Sequence, residues 1–354
     1  MTVAVVGAGL AGLSAAWELQ GAGADVVLLD AARHAGGMIV TERRDGFVVE
    51  GGPDGFLAAE PDIQDLARGL GIGDRLVDQV ARGAALWTGR RLEPLAEGKA
   101  AELLGIQVNA NVGGFRTFAA GMADVVEALV ARLVPRLRTT QGVTAVAPAQ
   151  RGWRLSFTGA SSLDAEAVIL AVPAWVAARW LAGLGVAAAR ALDTVLYAPS
   201  ITVSLAYRAD QVPAKLEGSG FVAAPDAGGT VRACTYAWRK YPQRAPQGFA
   251  LLRAFIGPVD GDPAAIAHAE LAAIVGIEGA PLWSRAFHWP RGLPRYPRGH
   301  AERVAVVRER LAGLAPLAIA GAGFDGAGVS ACVKSGREAA RTILARLGAR
   351  PVRG

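Results

Sequence analysis

The chain has 354 residues, enough for two domains or for one large α/β domain with a second domain inserted into it. Its two cysteines and four histidines support neither a disulfide framework nor a Cys/His metal site, so we expect no metal and a reduced, cytoplasmic location. The formal charge of +6 comes mostly from scattered arginines without a nucleic-acid-binding motif, so nucleic acid is not an expected partner.

Residues 3–30 have the pattern of a β-α-β unit: a β-branched run, a Gly-rich turn, a stretch with helical spacing and an apolar run. Since no basic region, apolar run or cleavage site stands before the first strand, export is not expected. Gly7, Gly9 and Gly12 form a GxGxxG turn, in which the backbone can approach a pyrophosphate at a helix N-terminus. Asp30 ends the second strand, where a carboxylate binds ribose hydroxyls and repels a 2′-phosphate. The unit therefore predicts FAD or NAD rather than NADP.

The elements that follow alternate between helix and strand. We expect an amphipathic helix at 61–70, a hairpin at 86–95 and a connector at 96–114. Helical spacing returns at 119–133. A strand pair around 143–157 and a buried strand at 167–172 are expected to rejoin the first sheet, and Pro173 makes this apolar stretch too short to cross a bilayer.

Alternating runs between residues 200 and 255 predict an antiparallel sheet, and the chain closes with a strand, a Gly-rich turn and a helix from about 333. The predicted fold is therefore α/β, a Rossmann-like dinucleotide-binding domain with an inserted antiparallel-sheet domain. We expect the first domain to comprise 1–95, 115–195 and 290–354. The second would comprise 196–289.

A Gly pair just after Asp30 distinguishes FAD from NAD. Gly36 and Gly37 allow the main chain to run along an extended dinucleotide. Together with the GFVVE segment at 46–50 and the GPDGF segment at 52–56, this pattern resembles the amine oxidase and protoporphyrinogen oxidase superfamily of flavoproteins.

Later segments are similar to the protoporphyrinogen oxidase family itself. They are RLEPL at 91–95, FRTFAAGM at 115–122, WPRGLPRY with a following Gly-His at 289–300, and the Gly-rich loop and helix at 320–337. The loop also favours a flavin on physical grounds, because small residues permit close backbone approach and a helix N-terminus suits an electron-rich ring.

The resemblance implies FAD as the cofactor. The Gly-rich turn and Asp30 would hold the ADP part, Val143 the adenine, and the remaining segments the flavin ring. The cofactor-binding residues implied in this way are Gly7, Ala8, Gly9, Leu10, Ala11, Gly12, Asp30, Ala31, His34, Gly37, Met38, Gly52, Pro53, Asp54, Gly55, Val143, Trp289, Ala322, Ala327, Gly328 and Val329.

The chain departs from the family pattern at two places. His34 stands where the family has an arginine. The family also carries a helical membrane-binding domain in the interval that only residues 96–114 occupy here, so this connector is interpreted as a remnant, and peripheral membrane contact is expected to be weakened. Arg82 is a weak candidate for pairing with a substrate carboxylate, and a solvated surface arginine is the alternative.

The reaction that the resemblance implies is oxidation of protoporphyrinogen IX or coproporphyrinogen III to the porphyrin in haem biosynthesis. Hydride would pass to the flavin, with O2 as the acceptor. No catalytic residue is predicted, since no triad or paired carboxylate stands out. Two alternatives stay open: a flavin amine oxidase, whose usual closing motif is absent from 321–336, and a non-catalytic paralogue that binds FAD or porphyrin. The oligomeric state is not predicted.

Overall fold

The computed structural model describes residues 2–96, 99–103, 113–159 and 161–348. Its described strands are, in chain order, β1 (Thr2–Val6), β2 (Asp25–Leu29), β3 (Thr41–Arg44), β4 (Phe47–Glu50), β5 (Phe56–Leu57), β6 (Leu76–Asp78), β7 (Ala84–Trp87), β8 (Leu92–Leu95), β9 (Phe115–Phe118), β10 (Leu137–Arg138), β11 (Val143–Pro148), β12 (Trp153–Phe157), β13 (Ser162–Ala165), β14 (Ala167–Leu170), β15 (Leu196–Tyr197), β16 (Ser200–Arg208), β17 (Gly220–Ala223), β18 (Val231–Tyr236), β19 (Phe249–Ile256), β20 (Trp283–Trp289), β21 (Pro294–Arg295) and β22 (Leu317–Ile319).

The described α-helices are α1 (Leu10–Gly21), α2 (Pro61–Gly69), α3 (Lys99–Leu103), α4 (Ala123–Leu133), α5 (Ala174–Gly183), α6 (Ala237–Lys240), α7 (Pro263–Val275), α8 (His300–Ala312), α9 (Ala322–Asp325) and α10 (Val329–Arg346). Short 3-10 helices connect several of them, the longest at Ala187–Thr194. None of the helices in the described ranges is long and apolar enough to span a membrane.

Five of the described strands form a parallel sheet in the order β10-β2-β1-β14-β22. Helices α1 and α10 pack on one face, together with α2 and α4, and α5 and α8 cover the other. Burial on both faces explains why β14 is a continuous apolar run. The strand order places β2 and β14 on opposite sides of β1, which opens a crevice at the carboxyl ends of the strands. The predicted Rossmann-like fold is confirmed.

The second sheet is mostly antiparallel and has the order β20-β16-β19-β18-β17-β7-β8. Helix α7 buries Ala267 and Leu271 against one face, in a core with Val203 and Leu205. The β3–β4 ribbon packs against the opposite face at one end, where the ring of Phe47 lies edge-on to Phe249 and Trp283 at centroid distances of 5.7 and 5.0 Å. This face also borders the crevice of the parallel sheet.

Strands β7 and β8 belong to this second sheet. They form the predicted hairpin, but β7 also pairs in parallel with β17, with Ala85 opposite Phe221. The expected boundary at residue 95 had placed both strands in the first domain. The structure differs there because a hairpin pattern does not show which distant strand completes its pairing. Of the predicted remnant at 96–114, residues 97–98 and 104–112 lie outside the described residues.

The expectation that residues 143–157 rejoin the first sheet was wrong. Strands β11, β12 and β13 form a separate three-stranded antiparallel sheet, and only β14 enters the parallel sheet. Trp153 of this small sheet packs into the core beside α5 and α8, so its burial does not depend on joining the larger sheet. Helix α4 also begins four residues later than predicted, and α10 begins four residues earlier.

Candidate functional site

The Gly-rich turn after β1 leaves no room for a side chain at Gly7 or Gly12. The ideal Cβ position of Gly12 lies 1.8 Å from the Gly7 carbonyl oxygen, and Gly7 has a φ of 103°, in the region that favours glycine. Helix α1 begins directly at Leu10 with no side-chain cap on its free N–H groups. Space in front of Gly9 is open, since nothing lies within 4 Å of its ideal Cβ position. The first N–H groups of α1 are therefore left without a side-chain partner, which is the geometry that the predicted phosphate contact requires.

The next part of the crevice lies at the end of β2. One carboxylate oxygen of Asp30 accepts a hydrogen bond from the Ala8 N–H at 2.5 Å, and the other accepts from the Ala32 N–H at 2.7 Å. The Gln141 N–H donates to the Asp30 carbonyl at 2.8 Å, and the Cβ position of Gly142 would lie 3.3 Å from the Ala31 Cβ. Val143 therefore directly follows a segment that packs on Asp30 and Ala31, and its predicted adenine contact stays a prediction.

His34 follows Asp30 and Ala31 in the same loop. Its side chain is exposed and makes no polar contact with any residue in the described ranges. Its predicted cofactor contact stays a prediction.

The segment from Gly36 to Met38 continues the crevice beyond the Gly-rich turn. The Gly36 N–H donates to the Ala8 carbonyl at 2.8 Å, and the Cβ position of Gly37 would lie 3.2 Å from the Cα of Gly9. Gly52 packs directly on this segment, because its Cβ position would lie 1.7 Å from the Met38 carbonyl oxygen. Three distant glycine segments therefore border one crevice.

The loop at 51–55 is held by the antiparallel sheet. The Gly51 carbonyl oxygen accepts hydrogen bonds from Thr202 Oγ1 at 2.8 Å, from Trp289 Nε1 at 2.9 Å and from Arg253 Nη2 at 3.3 Å. Arg253 also donates to the Gly52 carbonyl. We call Thr202, Trp289 and Arg253 the carbonyl clamp. Trp289 was expected to contact the flavin. In the structure its indole N–H is bonded to the Gly51 carbonyl, and its predicted flavin contact stays a prediction.

Buried charges lie behind the same loop. Lys240 Nζ contacts Asp54 Oδ2 at 3.0 Å, with side-chain exposures of 10% and 23%. Burial by itself would raise the pKa of Asp54, but the positive charges of Lys240 and Arg253 outweigh it and lower this pKa to about 2. Burial lowers the pKa of Arg253 from its usual value. Asp54 is therefore ionised and ties the loop to α6.

A second buried pair anchors the strand that leads into the loop. Arg244 Nη2 lies 3.3 Å from Glu50 Oε1, and both side chains are almost fully buried. Glu50 also accepts hydrogen bonds from the Met122 N–H at 2.8 Å and from Thr41 Oγ1 at 2.7 Å. Burial nonetheless raises the pKa of Glu50 above its usual value. These contacts fix the end of β4 and hence the start of the loop.

The closing Gly-rich loop lies on the other side of the crevice. Gly321 follows β22, and its Cβ position would lie 3.5 Å from the Cβ of Ala11 at the start of α1. The Gly321 N–H donates to Ser335 Oγ at 2.8 Å, and this hydroxyl donates to Asp325 at 2.5 Å. Arg308 pairs with both oxygens of Asp325.

This network, together with a hydrogen bond of 2.5 Å from Tyr296 Oη to the Ala322 carbonyl, holds the loop at the N-terminus of α10. The predicted residues there follow Gly321, which contacts Ala11 at the start of α1, and their flavin contacts stay predictions. These residues are Ala322, Ala327, Gly328 and Val329.

Arg82 lies outside the crevice contacts described so far. It is exposed, and its guanidinium approaches within 3.6 Å of the Cβ position of Gly114. Its charge helps to lower the pKa of Asp78, after the larger effect of the hydrogen bond from Arg116. Pairing with a substrate carboxylate stays a prediction.

Sequence reasoning missed Thr202, Lys240, Arg244 and Arg253. A charged residue inside an apolar strand is a signal that could have indicated Arg253, because the run Phe249–Ile256 is otherwise apolar. The other three carried no comparable signal.

Two models of known families match this chain. A model of the NAD(P)-binding Rossmann-like domain matches residues 5–70. A model of the flavin containing amine oxidoreductase family matches residues 93–344, well over half of the chain. The chain belongs to the flavin-containing amine oxidoreductase family. The predicted flavin cofactor and the resemblance to the protoporphyrinogen oxidase branch of this superfamily are confirmed.

Curated relatives of this amine oxidoreductase align along nearly its whole length. The coproporphyrinogen III oxidase of Bacillus subtilis is 22% identical over 98% of this chain and 98% of its own. The protein of the same name from Propionibacterium freudenreichii is 26% identical over 98% of this chain and 92% of its own. The first alignment spans 463 positions, more than the 354 residues of this chain, so that relative has segments that are absent here.

Solved structures share the fold of this amine oxidoreductase. A protein from Exiguobacterium sp. named "Putative protoporphyrinogen oxidase" superposes with a TM-score of 0.83, 22% identity and coverage of 98% of this chain and 99% of its own. The cyclohexylamine oxidase of Brevibacterium oxydans superposes with a TM-score of 0.77 and 15% identity over 98% and 99% of the two chains.

Proposed function

We propose that this amine oxidoreductase is a FAD-dependent porphyrinogen oxidase of haem synthesis that uses O2 as the acceptor. The observation that carries the proposal is the end-to-end alignment with relatives named coproporphyrinogen III oxidase, which covers 98% of the chain for the Bacillus subtilis protein. The protoporphyrinogen oxidase of tobacco aligns over only 66% of this chain. Coproporphyrinogen III is therefore the favoured substrate over protoporphyrinogen IX.

The order of the candidate residues along the crevice supports FAD as the particular flavin. Asp30 and Ala31 lie at one end, with Val143 just after a segment that packs on them, the start of α1 follows, and Gly52 and the closing loop lie at the other end. This order matches the adenine, ribose, pyrophosphate and isoalloxazine of an extended FAD. Each carboxylate oxygen of Asp30 has a second lone pair, which could accept from a ribose hydroxyl while the Ala8 and Ala32 N–H groups stay bound.

The fit of a flavin rests on an unpaired donor as well as on the glycines. Gly52 is buried, and its N–H has no acceptor among the residues that the structure describes. A buried amide of this kind normally finds a partner. A flavin ring, which carries acceptor atoms along one edge, supplies such a partner.

The chemistry of this proposal needs few reactive side chains. When bound, FAD supplies the two-electron acceptor for oxidation of the substrate. Residues of this chain would orient the flavin through Trp289, Met38 and the loop at 52–55, and Arg82 would pair with a substrate carboxylate. No catalytic acid or base is assigned.

The test is anaerobic mixing of the purified protein with one reductant at a time. We expect coproporphyrinogen III to bleach the flavin absorbance fastest, and O2 to restore it with release of H2O2. Bleaching by amines but not by porphyrinogens would overturn the proposal in favour of an amine oxidase. A flavin that no porphyrinogen reduces would indicate the non-catalytic paralogue.

The same proposal places the enzyme in the cytoplasm, with peripheral contact at the inner face of the cell membrane. Sedimentation of the protein with vesicles of anionic and of neutral lipid measures that contact. We expect weak binding to anionic vesicles only, and equal recovery with both lipids would contradict it.

A further inference from the structure

The clamped carbonyl of Gly51 determines the direction of the next amide. Three donors reach this one oxygen, and all three come from the second sheet: Thr202 from β16, Arg253 from β19 and Trp289 from β20. A carbonyl oxygen has two lone pairs, so this acceptor is saturated. The Gly51 carbonyl therefore points firmly into the sheet.

The Gly52 N–H belongs to the same peptide plane. In a trans peptide the C=O and N–H bonds point in opposite directions, and the structure contains no cis peptide bond in its described residues. The Gly52 N–H thus points away from the second sheet. Its residue packs on Met38, beside the Gly36–Gly37 segment, so the amide lies in the cofactor crevice.

The clamp also polarises this amide. Hydrogen bonds to a carbonyl withdraw electron density along the peptide and strengthen the donor on its nitrogen side. One of the three donors is a guanidinium that is 4% exposed and therefore little screened by solvent. The Gly52 N–H is consequently a stronger donor than an ordinary backbone amide.

We propose that the Gly52 amide donates a hydrogen bond to the flavin ring and that the carbonyl clamp of Thr202, Trp289 and Arg253 orients it for that contact. The inference rests on the proposed function. Thr202 and Arg253 are then positioning residues, since they act through the Gly51 peptide. A donor fixed before reduction binds the electron-rich reduced flavin more tightly than the oxidised form, so the clamp raises the reduction potential.

Thr202→Val tests the proposal, because it keeps the shape of the side chain and removes the hydroxyl. We expect FAD to bind about fivefold more weakly, the usual effect of one hydrogen bond. The ratio of reduced to oxidised flavin affinity should fall about threefold, which lowers the reduction potential by about 15 mV for a two-electron couple. Thr202→Ser, which retains the hydroxyl, should restore both values.

The matched control is Thr144→Val. Thr144 Oγ1 also donates to a backbone carbonyl, at 3.2 Å from Ser156 O, but it lies in the small three-stranded sheet. We expect wild-type FAD affinity and potential. If Thr202→Val does not fold, Trp289→Phe removes a second donor of the clamp and should shift the potential in the same direction.

Unchanged potentials in Thr202→Val and Trp289→Phe would overturn the inference, even if the apoproteins melt at lower temperature, because a purely structural role changes stability alone. That result would leave the proposed function intact as long as coproporphyrinogen still bleaches the wild-type flavin. A wild-type protein that takes up no FAD would overturn both.

Discussion

The crevice at the parallel sheet and the face of the seven-stranded sheet beside it build the candidate site in different ways. In the crevice the close contacts are made by the backbone, because Gly12 packs on the Gly7 carbonyl and Gly52 packs on the Met38 carbonyl. The sheet uses buried polar side chains, such as Thr202 and Arg253. Glycines at close backbone contacts leave a local sequence pattern, whereas a side chain that reaches across from a distant strand leaves no pattern that shows which residue it contacts.

The largest effect is expected at the Lys240–Asp54 ion pair, which joins the loop at 51–55 to α6. Lys240→Met leaves Asp54 buried without its partner, so we expect a loss of about 3 kcal/mol in the free energy of unfolding at neutral pH. The matched control is Lys334→Met, because Lys334 makes an exposed pair with Glu338 at 3.9 Å. That variant should lose at most about 0.5 kcal/mol. Equal losses in chemical denaturation would contradict the proposed role of the buried pair.

The Lys240–Asp54 pair should also make the free energy of unfolding depend on pH. The pKa of Asp54 falls from 3.8 to about 2 on folding, so its contribution is complete above pH 4 and disappears as the pH falls toward 2. We expect this group to remove about 2 kcal/mol of stability across that window. The difference between wild type and Lys240→Met should shrink accordingly. A difference that stays constant with pH would show that the pair is not ionic.

In the crevice, Gly12→Ala is expected to cost about 2 kcal/mol, because the new methyl would meet the Gly7 carbonyl. FAD binding should be lost with it, since the turn that approaches the pyrophosphate moves. Gly69→Ala at the end of α2 is the control, because nothing lies within 4 Å of its Cβ position. Normal FAD affinity in Gly12→Ala, measured by fluorescence titration, would disprove the backbone account of the crevice.

A smaller effect is expected at the closing loop. Ser335→Ala removes the acceptor of the Gly321 N–H and a donor to Asp325, which should cost about 1 kcal/mol. Thr342→Ala is a control on the same helix, since its hydroxyl bonds only to the carbonyl of Glu338, four residues earlier. We expect weaker FAD binding in Ser335→Ala alone. If Ser335→Ala and Thr342→Ala show the same thermal shift and the same FAD affinity, the Ser335 network does not contribute to the site.

The same contrast between backbone and side-chain contacts explains which parts of the fold the sequence predicts. The turn at Gly7–Gly12, the acid at Asp30 and the parallel strands were predictable because local spacing encodes them. The start of α10 at Val329 was missed by four residues, since the glycines before it are typical of a loop. The partner of β7 was also missed, because pairing with β17 joins residues far apart in the chain.

Within the site, the carbonyl clamp includes contacts that local sequence patterns do not predict. Arg253 is a charge in an otherwise apolar run, but no local pattern shows that it reaches Gly51. Thr202 looks like an ordinary strand residue, and the register sets Ser204 rather than Thr202 opposite Arg253. Such contacts depend on how two sheets meet. The glycine segments and Trp289 could be listed in advance, and the contacts of Thr202 and Arg253 with Gly51 could not.

The most direct test of the account is titration of the apoprotein with FAD, FMN and NAD in parallel, with binding followed by flavin fluorescence and by calorimetry. The account predicts that one FAD binds per chain, and that FMN and NAD bind far more weakly, because FMN lacks the adenosine half and NAD lacks the isoalloxazine ring that the Gly52 N–H would contact. Tighter binding of NAD, or equal binding of FMN and FAD, would contradict it.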